Sequence, residues 1–174
     1  MEKNQAEPMH MTPEELQSRL WAAKDLQAGS PRRIQAHREV AEQCPACVPN
    51  LLSLSRSLLL DRQETGAPER FDEAERALRG AVKVSVEDAS ALVEFAHFLD
   101  VARDAPADAE PLFAEAARRA SMLLEEAWAG WIGALGQQEK WEAARELSRR
   151  ARAVFPDSSL IAEATALLES DTAR

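Results

Sequence analysis

The sequence predicts an all-α protein, and three observations carry that prediction. Ala, Leu, Glu and Arg recur throughout, whereas Gly is held to 6 residues and Tyr is absent, a composition that favours helix and disfavours sheet. Helix start and stop residues return at short, regular intervals. Between them, apolar residues recur three and four positions apart. With 174 residues, 45% of them hydrophobic and 29% charged, the chain is long enough to bury a core.

Residues 1–11 read as a flexible tail, and 12–174 as one helical domain. Thr12-Pro13-Glu14-Glu15 opens the first helix with an N-cap, a Pro at the first helical position and a Glu that closes a capping box. Gly29 is expected to end the first helical segment, and Ser30-Pro31 repeats the cap-plus-Pro device. Further breaks fall at 44–49, 63–68, 85–88, 104–106 and 156–158. They imply eight helices and a final one near 158–170. The alternation Val82, Val84, Val86 is too short and isolated for a sheet.

Short helices joined by short turns point to an internal repeat. Ala pairs recur at 74/81, 109/116 and 144/151, an interval of 35 residues. Large apolar residues keep a step of three and then four at Leu51/Leu54/Leu58, Leu92/Phe95/Leu99 and Trp128/Trp131/Leu135. A weaker unit, Leu16/Leu20 with Ile34/Val40, precedes them. The tract from Trp128 to Leu135, followed by Trp141-Glu-Ala-Ala144, Ala151 and Pro156, resembles the tetratricopeptide repeat. Departures are Ile132 where a small residue is usual, an insertion between Asp61 and Arg70, and no closing Pro after the second and third units.

The resemblance implies a right-handed α-α superhelix of about four helix pairs, with units near 13–46, 48–85, 87–121 and 125–157 and a capping helix at 158–170. No pair buries its apolar stripe alone, so neighbours stack and share it. Leu160, Ile161, Ala164, Leu167 and Leu168 would then form a lid over the last pair, with Glu163, Glu169 and Asp171 toward water.

The resemblance also implies a binding face. In tetratricopeptide arrays the first helix of each pair lines a concave groove. Transferred position by position, the groove residues are Leu52, Arg56 and Leu59, then Val93, His97 and Asp100, then Ala129, Gly133 and Gly136. This mixture suits a peptide or helix of another protein. A basic clamp for a C-terminal carboxylate is missing, since Arg56 is the one basic residue in the set. Gly130, Gly133 and Gly136 each cost about 1 kcal/mol relative to Ala within a helix. They are read either as a bare strip for close approach of a ligand or as room for Trp131, Phe95 or Phe98.

A formal net charge of -9 disfavours nucleic-acid and anionic-membrane partners. The pairs Arg32-Arg33, Arg118-Arg119 and Arg149-Arg150 lie among Glu residues and read as solvated surface. The first dozen residues hold Glu2 and Glu7 and no apolar h-region, so no secretory signal is expected. Two cysteines make no disulfide framework and suit a reducing cytoplasm. The Ala/Arg/Glu-rich style suggests a bacterium with a GC-rich genome.

Catalytic constellations are not apparent: no nucleophile elbow, P-loop or Gly-rich phosphate cradle occurs. Cys44-Pro45-Ala46-Cys47 has the spacing of a redox pair or zinc half-site, but no strand precedes it and only His37 or His10 could join it. Glu94-x-x-His97 matches one arm of a di-iron centre; its one counterpart, Glu7-x-x-His10, sits across a Pro. The sequence thus predicts a non-catalytic adaptor without cofactor or metal. A metal- or thiol-dependent protein using Cys44 and Cys47 is one alternative, and a self-assembling subunit is another. The Trp-rich last unit is equally compatible with a homo-oligomer.

Overall fold

The computed structural model describes residues 11–172 apart from Glu64 and Glu87, with side chains as far as Leu168. Of the expected tail, 1–11, all but Met11 lies outside the described residues, as do the side chains of Glu169 and Asp171, which were expected to face water. The described residues form helices α1 (Pro13–Lys24), α2 (Pro31–Gln43), α3 (Val48–Leu59), α4 (Ala67–Val84), α5 (Ala89–His97), α6 (Pro106–Gln137), α7 (Trp141–Val154) and α8 (Ser159–Thr172). A π-helical turn, Phe98–Ala102, extends α5. No strand occurs among these residues. The chain parts into two compact units between Ala116 and Ala117.

The start signals act locally as the sequence indicates. The Thr12 hydroxyl accepts the Glu15 amide at 3.2 Å, and Glu15 accepts the Thr12 amide at 3.0 Å. Ser30 caps α2 by accepting the Arg33 amide. Gly29 differs from expectation: α1 already ends at Lys24, and Gly29 has φ +72° in the loop beyond it. A Cβ there would lie 2.4 Å from the Leu60 carbonyl oxygen. The glycine is therefore required by tertiary approach of this loop to the end of α3 as well as by its own dihedral.

In the first unit, α3 and α4 form the most extensive helix pair, flanked by α2 and α5. Ala74 and Ala81 are wholly buried, so α4 comes close to α3, and Leu51, Leu54 and Leu58 fill the interface. Asn50 is also buried. Its Oδ1 accepts from His37 Nδ1 at 2.8 Å and its Nδ2 donates to the His37 carbonyl at 2.8 Å, joining α3 to α2. The inserted loop is pinned by Arg70, which donates to the Gln63 and Thr65 carbonyls and faces Asp61.

The second unit has its own smaller core of Ala129, Ile132, Leu147, Ala151 and Ile161, with Trp128, Leu135 and Phe155 against it. Two expectations are corrected there. Trp131, predicted to be an anchor, is 54% exposed, and Ile132 takes the interior place. In α8, Ile161 and Leu168 face inward and Ala164 is half-buried, but Leu160 and Leu167 are exposed.

A further correction concerns helix number. The expected boundary between 121 and 125 is absent, and α6 runs unbroken for 32 residues. Ser121 to Glu126 offers no Gly, Pro or Asn, and Met, Leu, Glu and Ala there are strong helix formers. The second helix of the third expected pair and the first helix of the fourth are one element. Pro111 is the sixth residue of α6, beyond the amides that lack an intrahelical acceptor, so it removes the bond that would otherwise reach the Ala107 carbonyl.

Candidate functional site: the first-helix face and an uncovered stripe on α6

Within the first unit, α3 and α5 bring part of the predicted face together. Arg56 on α3 grips Glu94 on α5 through two bonds, Nη2 to Oε1 at 2.5 Å and Nε to Oε2 at 3.1 Å. Hydrogen bonding to Glu94 pushes the Arg56 guanidinium further up from an already high value. His97 stands exposed, edge-on to Phe113, with ring centroids 4.9 Å apart and planes at 75°. Leu59 and Asp100 are exposed and Val93 is half-buried.

Leu52 is placed otherwise. It is buried in the core, because the α3 stripe is wide enough to bury Leu51, Leu52, Leu54, Ser55 and Leu58 together. Among the three residues predicted from the second unit, Ala129 is likewise buried, Gly133 is exposed and Gly136 is half-buried. A Cβ at Gly130 or Gly133 would meet nothing within 4 Å, so neither glycine makes room for Trp131, Phe95 or Phe98. At Gly136 the neighbours are Leu168 and Trp141.

Sequence reasoning missed two features. One is Glu94 as the partner of Arg56; the available signal was a pair of opposite charges on successive first helices. The other is an apolar line on α6. Ala109, Leu112, Phe113 and Ala116 recur at spacings of three and four and belong to the first unit's core or its margin. The same spacing continues through Ala120, Leu123, Ala127, Gly130, Trp131 and Ala134, all exposed, with Leu123 at 69%. Such a stripe is uncommon on a water-facing helix and marks interaction surfaces.

Among the described residues no group of three or more His, Cys, Asp or Glu side chains is placed to hold an ion. His37 is committed to Asn50, Glu94 to Arg56, and His10 lies outside the described residues. A recess of about 590 Å³ lies between the α1–α2 and α3–α4 loops, lined by Gly29, Ser30, Leu60, Asp61 and Arg62 among others. It gathers no catalytic set. No described helix is long and apolar enough to cross a membrane.

With wholly buried Ala residues at 74/81 and 144/151, nearly so at 109/116, the repeat frame is physical as well as textual. The Myxococcota tetratricopeptide repeat protein family matches residues 8–86. A Myxococcus xanthus protein, described as an uncharacterized 18.1 kDa protein in the carS 3′ region, is 47% identical over 167 residues, covering 94% of this chain and 96% of that one. The chain belongs to this Myxococcota tetratricopeptide repeat family. No solved structure matches it. Membership accounts for the all-helical architecture and for small residues at the second-helix positions, where close helix approach leaves no space for anything larger.

Proposed function

We propose that this protein is a non-catalytic, cytoplasmic interaction module that binds a peptide or helix of another protein along the first-helix face. The observation that carries this reading is the composition of that face in the first unit. Leu59 and Val93 remain accessible beside the Arg56–Glu94 clasp and His97, so apolar contact and polar orientation are offered side by side. Family membership supports it, since repeat modules of this kind mediate protein–protein contact. Asp100 belongs to the same proposed face of the first unit, with Leu52 buried beneath it; in the second unit, Gly133 and Gly136 are a candidate contact of their own over the buried Ala129.

The test is affinity capture with the purified protein and with a variant combining Arg56→Ala, Leu59→Ser and His97→Ala. Surface substitutions of this type change stability by less than about 1 kcal/mol each. One partner lost with the variant at unchanged melting temperature is the expected result. A partner retained by the variant sinks the face assignment.

A second reading, self-association, rests on the uncovered α6 line. The line supplies its own knobs, Leu123 and Trp131, and its own holes, Ala127 and Gly130. Two antiparallel copies related by a two-fold through Ala127 set each Leu123 against the other copy's Trp131, as an isologous contact requires. Sedimentation at several concentrations should then show a dimer that Trp131→Glu dissociates. A monomer at every concentration rules this reading out.

A further inference from the structure

The Cys44–Cys47 turn belongs to neither surface above. Cys44 caps the C-terminus of α2, its amide donating to the Val40 carbonyl at 2.8 Å. Cys47 begins α3, its carbonyl accepting the amides of Asn50 and Leu51 at 3.0 Å each. Between them the Cys47 amide donates to the Cys44 carbonyl at 3.1 Å, closing a four-residue turn with Pro45 at its second position.

Such a turn holds its end Cα atoms within about 7 Å, and a disulfide spans Cα separations of about 4.4–6.8 Å. Both cysteines are free, Cys44 half-buried and Cys47 buried. Burial pushes the Cys47 thiol up, the Asn50 amide draws it partly back, and the adjacent Cys44 thiol adds to the rise. Helix hydrogen bonds anchor each end of the turn.

We propose that Cys44 and Cys47 form a dithiol exchange site that reacts with small disulfides and closes to an internal disulfide joining α2 to α3. The accessible Cys44 loses its proton to water, and its thiolate attacks one sulfur of the small disulfide. A Cys44 mixed disulfide forms, and one small thiolate leaves. Cys47 then gives up its proton and attacks Cys44 Sγ, expelling the second small thiolate. The protein loses two electrons and two protons, and one small disulfide becomes two small thiols. The closed ring restricts the unfolded chain and raises Tm by about 5 °C.

The test incubates the full chain with oxidised glutathione, quenches with acid, alkylates with N-ethylmaleimide and measures intact mass. The expected wild-type product has lost two hydrogens and carries neither glutathione nor maleimide. Cys47→Ser should stop as a single glutathione adduct. Cys44→Ser should react at least about tenfold more slowly, because its remaining thiol is buried. Wild-type protein that keeps two alkylatable thiols, stalls as a glutathione adduct or couples two chains overturns the proposal. Equal rates for the two single variants overturn the order of attack.

Discussion

The α3–α4 pair of the first unit and the α6–α7 pair of the second are built on the same small-residue frame, yet they bury different anchors. At Ala74/Ala81 and at Ala144/Ala151 the second helix is equally bare and equally buried. In the first unit all three partners, Leu51, Leu54 and Leu58, point inward. In the second, Trp131 turns outward and Ile132 enters in its stead. The difference is rotational. Before α3 a turn of irregular backbone, Cys44–Cys47, lets the helix take whatever rotation its apolar stripe requires. The corresponding stretch of α6 has no turn before it, so its residues keep the fixed helical step of about 100° and the face cannot be reset locally.

The comparison breaks most sharply at Ile132 and Trp131. Ile132→Ala should cost about 3 kcal/mol in urea unfolding, from lost transfer energy and the cavity left behind. Trp131→Ala should cost under about 1 kcal/mol despite removing a larger side chain. Equal costs would mean that Trp131 is the true anchor.

The polar fastening of the first unit, Asn50 with His37, is buried, whereas that of the second, Ser158 donating to Glu125, is part-buried. Asn50→Ala should destabilise by about 2 kcal/mol, because the His37 carbonyl and Nδ1 are left buried without their partner. Urea titration measures this directly, and a loss below about 0.5 kcal/mol would show that water replaces the amide.

His37 sharpens the same point through pH. Burial holds His37 below its ordinary value of 6.5; the Asn50 hydrogen bond opposes this and Arg33 adds to it. As pH falls through 6.5 the unfolded chain takes up this proton before the folded chain does. Stability from a neutral His37 is thus complete above 6.5 and is lost below it, toward the lowered folded value. Unfolding free energies measured from pH 7.5 to 5.0 should slope less in His37→Gln than in the parent.

The smallest effect concerns the glycines of α6. Gly133→Ala should stabilise by about 0.5–1 kcal/mol, since the new methyl meets nothing and helix propensity improves. A loss of stability in thermal unfolding would mean that the site is more crowded than its geometry indicates.

The fold was legible where local chemistry decides it. Thr12, Ser30 and the Ala pairs announce their positions because a cap or a close helix crossing admits few residue types. The missing turn in α6 was not legible, because a 35-residue register continues across it unchanged. A repeat frame marks which residues should touch, but whether the chain actually reverses depends on a breaker, and Ser121–Glu126 contains none. Of the nine predicted face residues, Leu52 and Ala129 fail for a related reason. Position in the frame assumes a narrow apolar stripe, whereas α3 buries a wide one. The Arg56–Glu94 clasp needs two helices at a defined separation, which spacing along one chain does not specify.

The unbroken α6 also makes the gene unequally tolerant of changes in length. A residue added between Asp61 and Gly66 falls in irregular backbone and is absorbed there. One added between Gly130 and Trp131 would swing Ile132 and Leu135 about 100° around the helix relative to Trp128. Viable insertions there should therefore come as three, four or seven residues, the lengths that restore the face.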